Sequence, residues 1–261
     1  MAGRTFAVGD IHGELVQLER LLDGLPPLDS EDTLVFLGDY LDRGPNSAGV
    51  VHFLRFTLPG RTAAKLVFLR GNHEDAWLRV CDVGWPGFLF PPRNGCLAAM
   101  RSWTGGRQPK PKEHPTPEEW ARMEDGDFFP DDVIIWMRDL LWWYEDEHAI
   151  YVHAGLPFQG DRWLHPSEVV DRQYLLWQRS LAFFTDYRGK LVVVGHTTTG
   201  TLPPELDGLT PEDPLDVWMG AAVYALDTGC GKGGFLTCLE LPSRVIRETR
   251  DAEKTPHRVG Q

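Results

Sequence analysis

Short apolar runs recur along the chain, and each breaks at once into a polar cluster. "RTFAV" (4–8) reads as a strand, and "ELVQLERLL" (14–22) as a helix with Leu15, Leu18 and Leu22 at helical spacing. "DTLVFLGD" (32–39) predicts a second strand ending in Gly-Asp, "SAGVVHFLRFT" (47–57) a helix, and "AKLVFLRGN" (64–72) a third strand ending in Gly-Asn. Strand, polar loop and helix in this repeated order predict a layered α/β fold. In open α/β sheets ligands bind at the C-terminal ends of the strands, which is where these polar clusters fall.

The pattern breaks between about 84 and 130. "GWPGFLFPPRNG" and "GGRQPKPKEHPTP" are rich in Pro and Gly, which interrupts regular structure and predicts a helical and loop insertion over one side of the site. "DDVIIWMRDLLWWYEDE" (131–147) then predicts an amphipathic helix, with Trp136, Leu140 and Trp143 as core-packing residues. Strands return at 149–156, 190–197, 221–229 and 235–241, the last taken as the final strand. The organisation expected is one domain over 1–247 carrying the insertion at about 84–130, followed by a polar, frayed tail over 248–261.

Composition narrows the partners. At 261 residues with 42% hydrophobic and 25% charged content, the chain suits a soluble globular protein, and no apolar run is long enough to span a bilayer, so no membrane partner is expected. "MAGRTFAVGD" enters structure at once and shows no signal-peptide core. Cys81, Cys96, Cys230 and Cys238 are scattered without a CxxC pair, which points to a reducing cytoplasm. A formal net charge of −12 argues against nucleic acid as a partner. Attraction of an anionic substrate would therefore be local, through bound metal ions and a few arginines.

The strand ends carry the chemistry: "GDIHG", "GDYLDRGP", "RGNHE", "VHAG" and "VGHT". In the first, Asp10 and His12 share a face if strand geometry persists, since side chains two apart point the same way. A tight turn with polar residues would look the same in isolation. Together, however, the blocks offer Asp10, His12, Asp39, Asn72, His153 and His196, a mixed oxygen and nitrogen set sufficient for two divalent ions if one carboxylate bridges them. Thiolates are absent from the set, which argues against a structural zinc site or an iron–sulfur cluster.

The five blocks, in this order, resemble the calcineurin-like metallophosphoesterases, a layered fold of central β-sheets flanked by helices. The Asp-Arg-Gly of "GDYLDRGP" and the full "RGNHE" resemble the phosphoprotein phosphatase branch, and "LLWQR" and "DTGCGKGGFLT" its bacterial and phage members. The resemblance covers about 4–241 and is weakest at 84–130 and 198–220. It implies one metal held by Asp10, His12 and Asp39, a second held by Asp39, Asn72, His153 and His196, and a water or hydroxide bridging them that attacks phosphorus directly. It further implies His73 as the group that protonates or stabilises the leaving oxygen, Asp42 as its orienting carboxylate, and Arg43 and Arg179 as phosphate clamps. Asp227 sits at a matching strand end and is assigned a supporting or turn role. Mn(II) is the first expectation for the metal, with Fe, Zn, Co and Ni also suited to such ligands.

The activity implied is hydrolysis of phosphate monoesters, as by a bacterial serine/threonine protein phosphatase acting on a phosphorylated protein or a small phosphate ester. A dinucleoside polyphosphate hydrolase of the same superfamily is the alternative. In that bacterial group the first block resembles Gly-Asp-x-Gln-Gly, whereas this chain has His12. A non-catalytic scaffold is the third reading, and a scaffold would be expected to have lost ligands. Composition and spacing do not fix the natural substrate or the oligomeric state.

Overall fold

A computed structural model describes residues 3–250. Among the described residues are twelve strands: β1 (Thr5–Val8), β2 (Thr33–Phe36), β3 (Lys65–Phe68), β4 (Trp143–Glu145), β5 (Ile150–Val152), β6 (Phe158–Gln159), β7 (Arg162–Trp163), β8 (Val192–Val194), β9 (Trp218–Met219), β10 (Val223–Ala225), β11 (Thr237–Leu241) and β12 (Val245–Glu248). One sheet runs β12-β11-β1-β2-β3 and the other β4-β5-β8-β10-β9, with β6 and β7 a small hairpin. Strands β1, β2 and β3 run parallel to one another, as do β5, β8 and β10.

Alternation along these strands sorts side chains into three cores. Phe6 and Val8 point to the helices, while Ala7 between them faces the other sheet. Leu34 and Phe36 flank Val35 in the same way, and in the second sheet Val192 and Val194 flank Val193. Residues two apart share a face of a strand, so one short apolar run serves two layers. The middle core, with Val35, Leu37, Tyr151, Val193 and Tyr224, lies between the sheets. Burying such side chains contributes about 1.5–3 kcal/mol each, which favours the face-to-face stack.

Helices cover the outer faces. Against the first sheet lie α1 (Leu15–Asp23), α2 (Ser47–His52), α3 (Asn72–Val83), the short α4 (Pro86–Leu89), α5 (Cys96–Thr104), α6 (Pro117–Asp125) and α7 (Asp131–Asp139). Against the second lie α8 (Gln173–Trp177) and α9 (Leu181–Asp186). The segment at 84–130 thus forms part of the first helical layer, with Phe88, Leu97, Met100, Met123 and Phe128 buried against Trp77 and its neighbours.

Three sequence expectations change. The helix predicted over 131–147 ends at Asp139; Leu140 is extended (φ −58°, ψ 137°), and Trp143–Glu145 forms an edge strand antiparallel to β5. Trp136, Tyr144 and Trp143 pack into three different cores, so the chain must leave the helical layer to reach the second sheet, and one continuous helix could not do so. Asn72, expected at a strand end, opens α3, a helix over 72–83 that the sequence pattern did not reveal. The final strand is β12, not β11, and Glu248 belongs to it; Thr249 and Arg250 are also tied down, Arg250 by Asp213 and Glu248. A short edge strand with charged residues reads as tail in sequence. The remainder of the predicted frayed tail, 251–261, lies outside the described residues.

Candidate metal centre

The C-terminal ends of β1, β2, β3, β5 and β8 converge on one rim of the stacked sheets. The loops there are held in unusual backbone conformations. His12, Asp39, Asp42, Arg43 and His196 all have positive φ, 46° to 71°, leaving only Lys112 and Arg244 as other described non-glycine examples. Left-handed non-glycine residues cost on the order of 1–3 kcal/mol each, so the strain is concentrated at this rim. His12 therefore reaches Asp10 through a left-handed turn, not by continuing the strand.

Glu74 organises the loop after β2. Its Oε2 accepts from the N–H groups of Asp39 and Gly71, and its Oε1 from those of Tyr40 and Leu41. Burial and the nearby Asp39 push this carboxyl up to about 8, against those donors. Gly71 is required by close approach: a Cβ there would lie 2.2 Å from both the nitrogen and Oδ1 of Asp39. The two segments that carry Asp39 and Asn72 are thereby locked together.

Asp39 lies between two clusters. Its Oδ2 is 3.4 Å from His12 Nε2 and 3.8 Å from His73 Nε2, and its Oδ1 is 3.4 Å from His153 Nε2. Asn72 Oδ1 lies 2.9 Å from His153 Nε2 and 2.7 Å from His196 Nδ1. Asp10 accepts the backbone N–H of His196 at 3.1 Å and is 3.8 Å from His12 Nε2. His12, Asp39 and His73 form one buried group of ligand-type atoms, and Asp39, His153 and His196 another. All six residues proposed from the strand ends are thus brought to one place.

The donor chemistry fits divalent cations. His12 Nδ1 is 2.9 Å from the Leu41 carbonyl and His153 Nδ1 is 2.8 Å from the Leu37 carbonyl. Donation to these carbonyls puts the proton on Nδ1 and leaves the Nε2 lone pair aimed at Asp39. Burial lowers the pKa of His12, His153 and His196, which keeps the rings neutral. At His153 a neutral nitrogen lone pair thus faces the Asp39 carboxylate and Asn72 amide oxygens, acceptor against acceptor, an arrangement that a cation between them relieves, whereas at His12 the Arg43 guanidinium takes that place. His196 Nε2 is buried with no hydrogen-bond partner. Burial also pushes Asp10 well above the usual carboxylate range, helped by Asp227 and Asp39. Burial acts the same way on Asp39, yet its carboxyl is held well below that range, with the Arg43 guanidinium the fixed cation beside it.

Beside the clusters, His73 Nδ1 meets Asp42 Oδ2, and the other Asp42 oxygen accepts from the Trp77 indole at 2.9 Å. The Arg43 guanidinium contacts His12 Nε2 and lies 3.0 Å from His73 Nε2. Arg179 follows α8 and is exposed, donating to the His196 carbonyl at 3.3 Å. Asp227 is buried; one oxygen caps the N–H of Gly229 and the other accepts from Thr198 and Lys232.

Sequence reasoning gave no part to Glu74, Trp77 or Gln108. Glu74 stood within "RGNHE" and Trp77 is one helical turn after His73, so both signals were available once α3 was known. Gln108, which donates to the Arg43 carbonyl at 2.8 Å, carries no local signal.

Paired oxygen and nitrogen clusters sharing one carboxylate, at the strand ends of two stacked sheets, are donors of the kind that can hold two divalent ions for hydrolysis. Residues 3–199 match the calcineurin-like phosphoesterase family, and the chain belongs to it. It is 26% identical to a symmetrical bis(5'-nucleosyl)-tetraphosphatase of Enterobacter sp. (strain 638), over 90% of each chain, and 24% identical to that of Cronobacter sakazakii, over 93% of this chain and 92% of the relative. Among solved structures it resembles a candidate diadenosine tetraphosphatase (22% identity, TM-score 0.54, 97% and 96% coverage). It also resembles a cold-active protein-tyrosine phosphatase of a Shewanella species (18% identity, TM-score 0.53, 100% and 81% coverage). Both likenesses speak to the fold alone. No described helix is long and apolar enough to cross a membrane.

Proposed function

We propose that the chain is a two-metal phosphoric anhydride and ester hydrolase whose preferred substrate is a dinucleoside polyphosphate, with the described residues 3–250 acting as one catalytic unit. The observation that carries this reading is end-to-end similarity to relatives named for cutting dinucleoside tetraphosphates symmetrically, over nine-tenths of both chains. It reverses the order expected from the motifs, which put phosphoproteins first. His12 in "GDIHG" is the specific observation that favours the monoester reading.

In this reading Asp10, His12 and Asp39 would hold one ion, and Asp39, Asn72, His153 and His196 the other. Such ions would neutralise phosphate charge and lower the pKa of a water nucleophile. The mixed donor set accepts Mn(II), the first expectation and the ion for reconstitution, as well as Fe, Zn, Co and Ni. His73 would give a proton to the departing oxygen; its contact with Asp42, which the Trp77 indole also engages, supports that role by fixing the ring. Arg43 binds non-bridging phosphate oxygens through its fork, and Arg179 does so from the His196 side. Hydrolysis adds water across one P–O–P bond, and a symmetric cut of a tetraphosphate releases two nucleoside diphosphates.

The test is a turnover comparison on Mn(II)-loaded protein with a dinucleoside tetraphosphate, a phosphoserine peptide and p-nitrophenyl phosphate. The proposal expects kcat/KM for the tetraphosphate to exceed the other two by at least tenfold. A preference for the phosphopeptide would establish the protein phosphatase reading instead, and inactivity on all three would favour a scaffold.

A further inference from the structure

The segment at 84–130 builds a cleft of about 860 Å³ that opens beside Arg43. Its apolar wall includes Leu89, Phe90, Trp120 and Met123, and its cationic wall Arg93, Lys110, Lys112 and Lys232. In a chain of net charge −12 this is a local reversal of sign. The one carboxylate among the lining residues, Glu113, is taken up by Arg101 and Arg107. Arg93, Lys110 and Lys112 have no carboxylate partner among the described residues, so their charge is available to a ligand.

One aromatic face lies open. Phe90 is 75% exposed and meets Trp120 edge to face, with ring centroids 5.9 Å apart at 82°. A large exposed aromatic side chain beside cations suits a flat π-system joined to an anion. Pro91, Pro92, Pro109, Pro111, Pro115 and Pro117 stiffen the surrounding backbone, which reduces the ordering cost of binding.

The cleft is also wired to the centre. The Arg43 N–H donates to the Gly95 carbonyl at 3.3 Å, its Nε to the Arg93 carbonyl at 3.5 Å, and Gln108 donates to the Arg43 carbonyl at 2.8 Å. The segments that wall the cleft therefore also position the phosphate clamp.

We propose that this cleft is a nucleotide subsite: the base stacks on the exposed face of Phe90, which Trp120 braces edge to face, and the outer phosphates run past Lys110, Lys112 and Lys232 to Arg43. This rests on the dinucleoside polyphosphate reading and gives it a recognition site. A free phosphate would use the cations but gain nothing from the aromatic wall, whereas a nucleoside diphosphate uses both.

Calorimetric titration of the full chain with ADP and with inorganic pyrophosphate tests it, because binding is read without turnover. ADP is expected to bind about tenfold or more tightly than pyrophosphate, a gain of the size that base–aromatic stacking supplies. Trp120→Ala or Phe90→Ala should remove most of that gain and leave pyrophosphate binding unchanged. Trp120→Phe should retain it, and Phe90, being exposed, can be replaced without risk to the core. Lys110→Ala with Lys112→Ala should weaken both ligands and flatten their salt dependence. Equal affinity for ADP and pyrophosphate, or an unchanged ratio in both aromatic variants, overturns the proposal. So does competition for the cleft by a phosphopeptide but not by ADP. If ADP is favoured but no dinucleoside tetraphosphate is cut, the subsite stands and the functional reading falls. If the tetraphosphate is cut and the aromatic variants bind as the parent does, the reverse holds.

Discussion

Asp42 and His73 stand 31 positions apart in the chain, yet the Asp42 carboxylate lies 2.5 Å from His73 Nδ1. The contact is between two fully buried side chains, and Trp77 on the next turn of α3 holds the second carboxylate oxygen. His73 is therefore presented with one nitrogen tied and Nε2 directed to the centre, beside Asp39 and Arg43. A ring fixed in this way can deliver a proton without reorganising.

That geometry makes the value of His73 depend on the leaving group. His73→Asn should leave bound metal in place while lowering turnover of an alkyl phosphate by roughly 10²–10⁴-fold, the usual worth of general acid catalysis. The loss should be smaller for an aryl phosphate or a dinucleoside tetraphosphate, whose leaving groups are weaker bases than an alkoxide. Asp42→Asn should follow the same ordering with a smaller loss. Equal losses across the three substrates would argue that His73 does not transfer a proton.

Asp39 faces both clusters, one oxygen to each. Elemental analysis of gently purified protein should approach two transition-metal equivalents, and Asp39→Asn should lower occupancy of both positions together. Glu74→Ala should act in the same direction from outside the clusters, since it strips four buried N–H groups of their acceptor. An unsatisfied buried donor costs about 1–3 kcal/mol, so this variant should also be markedly less stable to urea. Retention of full metal and activity by Asp39→Asn would show that it does not bridge.

Arg43 and Arg179 should separate as clamps of unequal weight. Arg43→Ala is expected to reduce kcat/KM on the order of 10²–10³-fold and to weaken inhibition by inorganic phosphate, with metal content intact. Arg43→Lys should recover only part, because a point charge cannot replace the two-pronged fork. Arg179→Ala should have the smaller effect, since its guanidinium is exposed and already engages a carbonyl. An alanine variant with parental kcat/KM and phosphate inhibition would remove that arginine from the site.

The histidines predict an acid limit to the stability of metal-free protein. Burial depresses the folded-state pKa of His12, His153 and His196 below the ordinary 6.5. Above pH 6.5 both folded and unfolded chains hold them neutral, and their contribution is fully present. As pH falls below 6.5 the unfolded chain takes up protons that the fold refuses, and stability is lost until the folded-state values are reached. Three such groups give a slope of at most about 4 kcal/mol per pH unit. Urea midpoints from pH 8 to 5 measure it, and His153→Gln should reduce the slope. Asp10 and Glu74, held above the ordinary carboxylate range, pull the total slope the other way, so the readout is the difference between parent and variant: an unchanged slope in His153→Gln would contradict the neutral assignment.

The strand ends were legible because their signal is local. A strand of four residues, alternating between two cores and then stopping, leaves an apolar run with a polar break, and that break marks where ligands are presented. Asp10, His12, Asp39, Asn72, His153 and His196 could all be named from such breaks. What the run of residues could not carry was any relationship between distant segments. Trp136, Leu140 and Trp143 keep helical spacing, yet the chain turns after Asp139 because its next residues belong to the second sheet. Glu74 looks like an ordinary helix-opening acid until four N–H groups from two loops are found on it. The Pro-rich insertion has no period to read, and only packing against α2 and α3 turns it into a cleft wall that grips Arg43. Sequence by itself determined the kinds of groups and the order of their presentation, since both follow from local periodicity and side-chain chemistry. Tertiary structure decided their distances, tautomers and neighbours, because those depend on two sheets stacking face to face so that Asp10 and His196, 186 positions apart, come within hydrogen-bond reach.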